Sequence, residues 1–500
     1  MLTAPPSPRT SPSGFESLNP ATGDVVGRFP LDGAAEVGAA VERARAAAAW
    51  WGALDFTERG RRLRAYKALI TRRVDELSDL VHRENGKPRN DAFLEIMLAI
   101  DHLEWASRNA SRVLGPRRVR AGLLAANHAA SVEYLPLGVI GVIGPWNYPV
   151  YTPMGSISYA LAAGNAVVFK PSEFTPAIGR WLADAAAEAI PEHPVLQVVT
   201  GAGETGAALC ASGVDKLAFT GSARTGRRVM AACAERLTPV LMELGGNDAM
   251  IVDEDADVDA AASAAVWGAL QNAGQACISV ERVYAVDAVH DRFVARVTEL
   301  AGRVRAGEGD GADIGPITMP AQLEVITRHL RDAFERGARA VVGGPDAVHA
   351  PYVDPVVLVD VPNDALIMQE ETFGPTLPIV RVRDADEAVR LANDTRYGLG
   401  SVVFARRRGR ELARRLRAGM TSVNAVIAYA AVPSLPFGGV GDSGFGRIHG
   451  DDGLREFARA KATTAVRFPL PVDLLSFDRP QVAVRAVKAI TRLRHGRRRG

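Results

Sequence analysis

Cysteine is almost absent: the 500 residues hold three, Cys210, Cys233 and Cys277. Three thiols cannot build a disulfide framework, and no CxxC pair or Cys/His cluster has metal-ligand spacing, so no metal site is expected. So few thiols fit a reducing cytoplasm. Charge of one sign is lacking too, with 59 Lys and Arg against 57 Asp and Glu. What imbalance exists sits at the end, where residues 467–500 carry +7 and leave −5 for the rest. A mildly acidic body with a basic tail excludes a dedicated nucleic-acid binder, which needs a basic face or a reading motif. Long apolar runs are missing. Tyr134 to Phe169 holds no charged residue, yet Pro136, Pro145, Asn147, Pro149, Pro153 and Asn165 interrupt it. No run reaches the roughly 18 residues that a membrane span requires. The opening "MLTAPPSPRTSPSG" is Pro/Ser-rich and has no apolar core, so residues 1–14 read as a disordered leader, not a signal peptide.

What is present is ordinary globular composition, 47% hydrophobic and 23% charged, over a length that implies two or three domains. Apolar residues recur at three and four over Ala34–Trp51, Phe56–Asn85 and Asn90–Ala110, which predicts a helical opening. Buried strands then alternate with helices. Val139–Ile143, Ala166–Phe169, Leu196–Val199, Lys216–Phe219 and Val240–Glu243 read as strands, with helices between them. A second unit starts near Leu244, with strands at Ala249–Val252, Arg282–Val286 and Leu399–Phe404. Short apolar strands alternating with helices predict an α/β fold on parallel sheets.

Several segments carry chemical signals, each with a plainer reading beside it. In "KLAFTGSARTG", Gly221 and Ser222 lie between a strand and a helix, where free N–H groups bind anions; a plain glycine turn fits equally. Lys170 and Glu173 end the next strand pattern in "VVFKPSE", as ribose-binding groups or as a surface ion pair. "PWNYP" fixes Asn147 between prolines, either as an oxyanion donor or as a structural cap. Glu243 ends an apolar strand before two glycines; desolvation there suits a general base, and a salt-bridged structural role is the other reading. Cys277 follows the turn in "QNAGQACISVERV", where local N–H groups lower a thiol pKa, although free cysteines are most often buried filler. Cys210 and Cys233 lie in alanine-rich helices and read as filler.

In order along residues 20–467, the chain carries "GVIGPWNYP", "AGNAVVFKPSE", "FTGSARTG", "MELGGNDAMIV", "NAGQACISVERV", "EETFGP" and "PFGGVGDSGFGR". That ordered set resembles the NAD(P)-dependent aldehyde dehydrogenase superfamily. The resemblance implies Cys277 as nucleophile, Glu243 as general base, and Asn147 with the Cys277 N–H as oxyanion hole. Lys170 and Glu173 are implied to hold the adenosine ribose, with Gly221 and Ser222 near the pyrophosphate and Trp146 lining the cleft. Glu371 is implied to hold the nicotinamide ribose, with Phe373 packed beside it. Glu243 places the chain outside the branch that passes its thioester to coenzyme A. Glu173 favours NAD over NADP, because a 2′-phosphate would sit against a carboxylate.

Two positions depart from the family: Ser156 stands where many members have a proton-relaying lysine, and Asn247 and Ala249 stand where Lys and Pro are common. The implied architecture has three parts. A Rossmann-like NAD(P)-binding domain covers 15–118 and 137–243, a catalytic domain 244–454, and a β arm 119–136 and 455–468. The arm implies a homodimer or homotetramer.

The substrate expected is a small-molecule aldehyde, with a leaning to apolar or aromatic ones from Tyr151, Trp267, Ile278 and Ile427–Ala431. The alternatives are a semialdehyde dehydrogenase of the succinate-semialdehyde type and a cysteine esterase or acyltransferase without redox chemistry. The tail, 469–500, sets Ala483, Ala486, Val487, Ile490 and Leu493 against Arg485, Lys488 and Arg492. That pattern fits weak peripheral membrane contact, or a solvated or partner-packed helix.

Overall fold

The computed structural model describes residues 7–11, 14–122, 125–309, 311–470 and 476–496. Contacts divide the chain into two units, Met1–Leu114 with Pro136–Arg459 and Gly115–Leu135 with Ala460–Gly500.

The larger unit holds two sheets. The first runs in the order Gly444–Phe445, Val240–Glu243, Lys216–Thr220, Val139–Ile143, Ala166–Lys170, Leu196–Val198. Its last five strands are mutually parallel. They are short and nearly uninterrupted in apolar residues because helices cover both faces; Val139–Ile143 is buried at every position. Strand order reverses beside Val139–Ile143, since later strands add on both of its sides. A parallel sheet leaves a crevice at such a reversal, outside the carboxyl ends of its strands.

The second sheet has seven strands, with Asp248–Val252 and Val280–Val286 at its centre and buried throughout. Only its edge strand Arg339–Val342 pairs antiparallel. The smaller unit carries a three-stranded sheet in which His128–Pro136 lies between Arg117–Val119 and Ala458–Val466. Ala458–Val466 is nine residues long and exposed over nearly all its length. A long bare edge strand is a template for pairing with another chain. The helix Gln481–His495 has no buried residue.

The architecture is the three-part α/β arrangement expected, with local corrections. Part of the leader is ordered: Arg9–Ser11 form a strand antiparallel to Gly14–Leu18, with Arg9 opposite Glu16. Residues 1–6 and 12–13 of that leader lie outside the described residues. The single helix expected over Phe56–Asn85 is two, Phe56–Arg72 and Val74–Asn85, because Arg73 at φ −109°, ψ 24° leaves helical geometry. Gly444–Phe445 was expected with the catalytic domain but pairs with Met242 and Glu243 of the first sheet. A Cβ at Gly444, φ +99°, would lie 2.0 Å from the Met242 carbonyl oxygen, so only glycine admits that approach.

Candidate active site

Four strands of the first sheet end at the same edge, and each delivers a residue singled out in the sequence. Val139–Ile143 leads to Trp146 and Asn147, Ala166–Lys170 to Glu173, Lys216–Thr220 to Gly221 and Ser222, and Val240–Glu243 ends on Glu243. Lys170 is buried, with Nζ 3.5 Å from Glu173 Oε2. Burial lowers the lysine pKa, and Glu173 opposes the shift. Ser222 caps the helix Ala223–Ala234 by accepting from the Thr225 N–H, and the Gly221 N–H donates to the Glu243 carbonyl. A capped helix start directly after a parallel strand can hold a pyrophosphate, and carboxylates beside it can hold ribose hydroxyls.

Cys277 comes from the second sheet. It follows a one-turn 3-10 segment, Gln271–Gly274, in which Asn272 and Ala273 adopt φ +52° and +55° and Gly274 φ +72°. Left-handed backbone at two non-glycine residues costs of order 1–3 kcal/mol each, and such strain collects at functional sites. Gly274 cannot carry a side chain: a Cβ there would lie 2.0 Å from the Gly374 carbonyl oxygen. The two glycines after Glu243 have the same explanation. A Cβ on Gly245 would collide with Glu371 Oε2, and one on Gly246 with the Cys277 carbonyl oxygen, at 2.1 and 2.3 Å. Glu371 Oε1 accepts from the Gly246 N–H at 2.9 Å. Phe373, at φ +54°, meets Trp146 edge-to-face with ring centroids 5.5 Å apart. Glu281 holds that loop, its carboxylate accepting from the Thr372 and Phe373 N–H groups at 2.7 and 2.9 Å.

Cys277 and Glu243 line one cavity of about 270 Å³. Glu243 is 3% exposed and its Oε1 has no hydrogen-bond partner among the described residues. Burial pushes its pKa well above the usual carboxylate range; Arg447 opposes the shift and Glu456 adds to it. A carboxylate with raised proton affinity and an unpaired Oε1 is suited to take a proton from water or a thiol. The local backbone N–H does lower the Cys277 pKa as expected, but it is outweighed and the net shift is upward. Burial raises it well above the ordinary thiol value, and Glu371, Glu243 and Asp248 raise it further. Asn147 is buried, and its Nδ2 donates to the Gln275 carbonyl at 3.0 Å. An amide nitrogen carries two donors, so one is left for an incoming oxygen.

The cavity wall is apolar. Tyr151, Trp267, Ile278 and Ile427–Ala431 line it as anticipated, apart from Tyr429. The sequence reading missed the contribution of the helix Arg89–Leu114, which adds Leu94, Met97 and Leu98. Leu94, Met97 and Trp267 are also solvent-exposed, so the apolar wall continues onto an open lip. Their signal was available as apolar side chains, Phe93, Leu94 and Met97, outside the apolar face that the helix buries through Ala92, Ile96 and Ala99. No Arg, Lys or His is among the described residues lining the cavity, and Asp91 and Glu95 are.

Comparison with known proteins agrees with this geometry. Residues 8–463 match the aldehyde dehydrogenase family. A 4,4′-diapolycopene aldehyde oxidase of Methylomonas sp. is 37% identical over 461 residues, covering 91% of this chain and 87% of its own. The NADP+ succinate-semialdehyde dehydrogenase of Escherichia coli K12 is 36% identical over 458 residues, covering 89% and 93%. The crystal structure of succinate-semialdehyde dehydrogenase from Burkholderia pseudomallei superposes with a TM-score of 0.86 at 34% identity, covering 92% and 96%. The chain belongs to the aldehyde dehydrogenase family, in the NAD(P)-dependent branch that oxidises aldehydes without acylating coenzyme A.

Proposed function

We propose that this enzyme oxidises an uncharged, apolar aldehyde to its carboxylic acid, with NAD+ preferred over NADP+. The observation that carries the substrate reading is the cavity beside Cys277, apolar in its walls, lined by Asp91 and by a Glu95 whose charge is already paired with the buried Lys87, and without a cation among its described lining residues. A substrate bearing a carboxylate would lose its hydration there with nothing to pair it.

In this reading the Cys277 thiolate adds to the aldehyde carbon, and the free Asn147 N–H with the Cys277 backbone N–H holds the oxyanion. Lys170 and Glu173 would hold one ribose of the dinucleotide, Gly221 and Ser222 its pyrophosphate and Glu371 the second ribose, with Trp146 and Phe373 lining the cleft. A bound dinucleotide would supply the hydride acceptor, and loss of the hydride would leave the acyl group on Cys277 as a thioester. Glu243 takes a proton from water, which attacks the thioester and releases the acid.

The test is reduced-dinucleotide formation across straight-chain, aromatic and carboxylated aldehydes. Each methylene buried along the wall and lip adds about 0.8 kcal/mol, so kcat/KM climbs several-fold per methylene with chain length. A preference for a short aldehyde acid would reject the reading. The second reading, a semialdehyde dehydrogenase, is favoured by how relatives such as those from Escherichia coli and Burkholderia pseudomallei are named; the same panel separates the two.

Assembly into a homodimer or homotetramer through the bare edge strand Ala458–Val466 belongs to the same proposal. So does weak contact of the tail with an anionic membrane. On the helix Gln481–His495, Arg485, Lys488 and Arg492 share one face, and the exposed Val482, Ile490 and Leu493 lie on the other. Co-sedimentation with phosphatidylglycerol vesicles, lost in phosphatidylcholine and lost on deleting residues 481–500, supports it; equal sedimentation in all three rejects it.

A further inference from the structure

The turn "ENGKP", Glu84 to Pro88, reads in the sequence as a break between two helices. In the structure it grips the segment that presents Asn147. Asn85 Nδ2 donates to the Trp146 carbonyl at 2.9 Å, and Lys87 Nζ donates to the Asn147 carbonyl at 3.1 Å. Gly86, at φ +86°, lies so close to Pro316 that a Cβ would approach its ring to 2.5 Å. That contact fixes the turn between the two grips.

Lys87 is ion-paired with Glu95, and the two side chains are 1% and 0% exposed. Glu95 Oε1 accepts from the Val150 and Tyr151 N–H groups at 2.8 and 3.0 Å. Lys87 Nζ also sits 3.7 Å from the centre of the Tyr148 ring. Apart from their mutual ion pair, every polar or cation–π contact of these two side chains among the described residues therefore goes to residues 147–151. A buried ion pair contributes little net stability, and apolar side chains of similar volume would fill the space at lower cost. What such side chains could not do is hold one carbonyl and two N–H groups of one short segment in fixed directions.

We propose that Lys87, acting with Glu95, is a positioning residue for aldehyde oxidation. Its ammonium anchors the Asn147 backbone and so aims the Asn147 amide at the oxyanion that forms on addition of Cys277. The inference rests on the reading of Asn147 and Cys277 given above. Misplacement of a donor by about 1 Å costs on the order of a hundredfold in rate, which sets the scale of the effect.

The experiment is a rapid-mixing measurement of the first turnover of reduced dinucleotide in Lys87→Met, Glu95→Gln and the double variant. Dinucleotide binding, followed by quenching of protein fluorescence, and Tm are measured on each. The expected result is a first turnover slowed about tenfold to a hundredfold in Lys87→Met, with dinucleotide affinity unchanged. The double variant, which leaves no orphaned charge, regains the Tm lost by the single variants but stays slow. A double variant that regains both Tm and rate reduces the pair to a stability role and overturns the proposal, as does a first turnover at the original rate in Lys87→Met. Should Lys87→Met fail to fold, the double variant decides alone. Asn147→Ala in the same assay keeps the two levels apart. If it retains the fast first turnover, the reading of the site fails; if it loses it while the double variant does not, only the role of Lys87 fails.

Discussion

Replacing Glu243 by glutamine tests the division of labour in the cavity. The carboxylate is 3% exposed, and its Oε1 lacks a partner among the described residues. The amide is nearly the same size and carries no charge that burial can penalise. Glu243→Gln therefore keeps the fold and raises or leaves Tm at alkaline pH, where the wild-type carboxylate is forced to ionise in the interior. The catalytic cost is large. Loss of a positioned general base removes about 10²- to 10⁴-fold, or roughly 3–5 kcal/mol of barrier at 1.36 kcal/mol per tenfold. That cost falls on thioester hydrolysis and not on hydride transfer. Rapid mixing with an aldehyde then shows a fast burst of reduced dinucleotide, about one per competent site, followed by a steady rate lowered by that factor. Trapping the stalled protein for mass spectrometry gives Cys277 heavier by the acyl group. Loss of the burst together with the steady rate would refute the reasoning, because Glu243 would then be needed to ionise the thiol before any chemistry.

Three further outcomes follow from the same geometry. Cys277→Ala abolishes aldehyde-dependent dinucleotide reduction while leaving dinucleotide binding intact; retained turnover would remove the thiol from the mechanism. Glu173→Gln, by neutralising the carboxylate beside Lys170, raises kcat/KM with NADP+ several-fold and changes it little with NAD+, read in paired steady-state assays. Trp267→Ser together with Leu94→Ser at the lip lowers kcat/KM for long-chain aldehydes roughly tenfold, about the loss of two buried methylenes, and leaves the shortest aldehyde of the series unaffected.

Much of the fold was legible because its strands are unbroken apolar runs closed by Gly, Pro or a charge. Val139–Ile143 and Val240–Glu243 have the bounds read from the sequence. The helix Gly203–Ala211 was read only as an alanine-rich helix around Cys210, without bounds, because two glycines within nine residues blur its start; packing against its neighbours overrides that local preference. Among the proposed site residues, Glu243 and Cys277 were singled out because their segments are distinctive as an ordered set. Lys87 and Glu95 were not, since a lysine and a glutamate at a helix start normally describe a solvated face. Only the tertiary fold buries them. The direction of the Cys277 pKa was misread for the same reason: the turn before it is local, but the burial that raises it, and the acids Glu371, Glu243 and Asp248 that add to the shift, come from the tertiary fold.

Those acids set a conflict between stability and chemistry. Burial raises Glu243 and Glu371 well above the ordinary carboxylate range, Glu281 to about 7 and Asp248 to about 8. A group whose folded pKa is raised contributes stability that is complete below its unfolded value and lost as pH rises through the folded one. The contribution of these acids to Tm therefore declines between about pH 4 and their folded values, about 7 for Glu281 and about 8 for Asp248, and levels off once they have ionised. The buried imidazoles act oppositely. His102 is lowered to about 4 and His449 lies well below its ordinary value, both chiefly by burial, so their contribution is lost as pH falls below the ordinary histidine range. In the proposed mechanism catalysis needs Cys277 and Glu243 deprotonated, so kcat is expected to rise over the window in which the acids weaken the fold. Asp248 can be separated from the chemistry: its Oδ1 accepts from the Gly400 N–H while its Oδ2 has no partner among the described residues. Asp248→Asn keeps that acceptor and flattens the fall in Tm between about pH 4 and 8, and the rise of kcat with pH persists. An unchanged slope of Tm against pH in that variant would mean that Asp248 is not the acid whose ionisation loosens the fold.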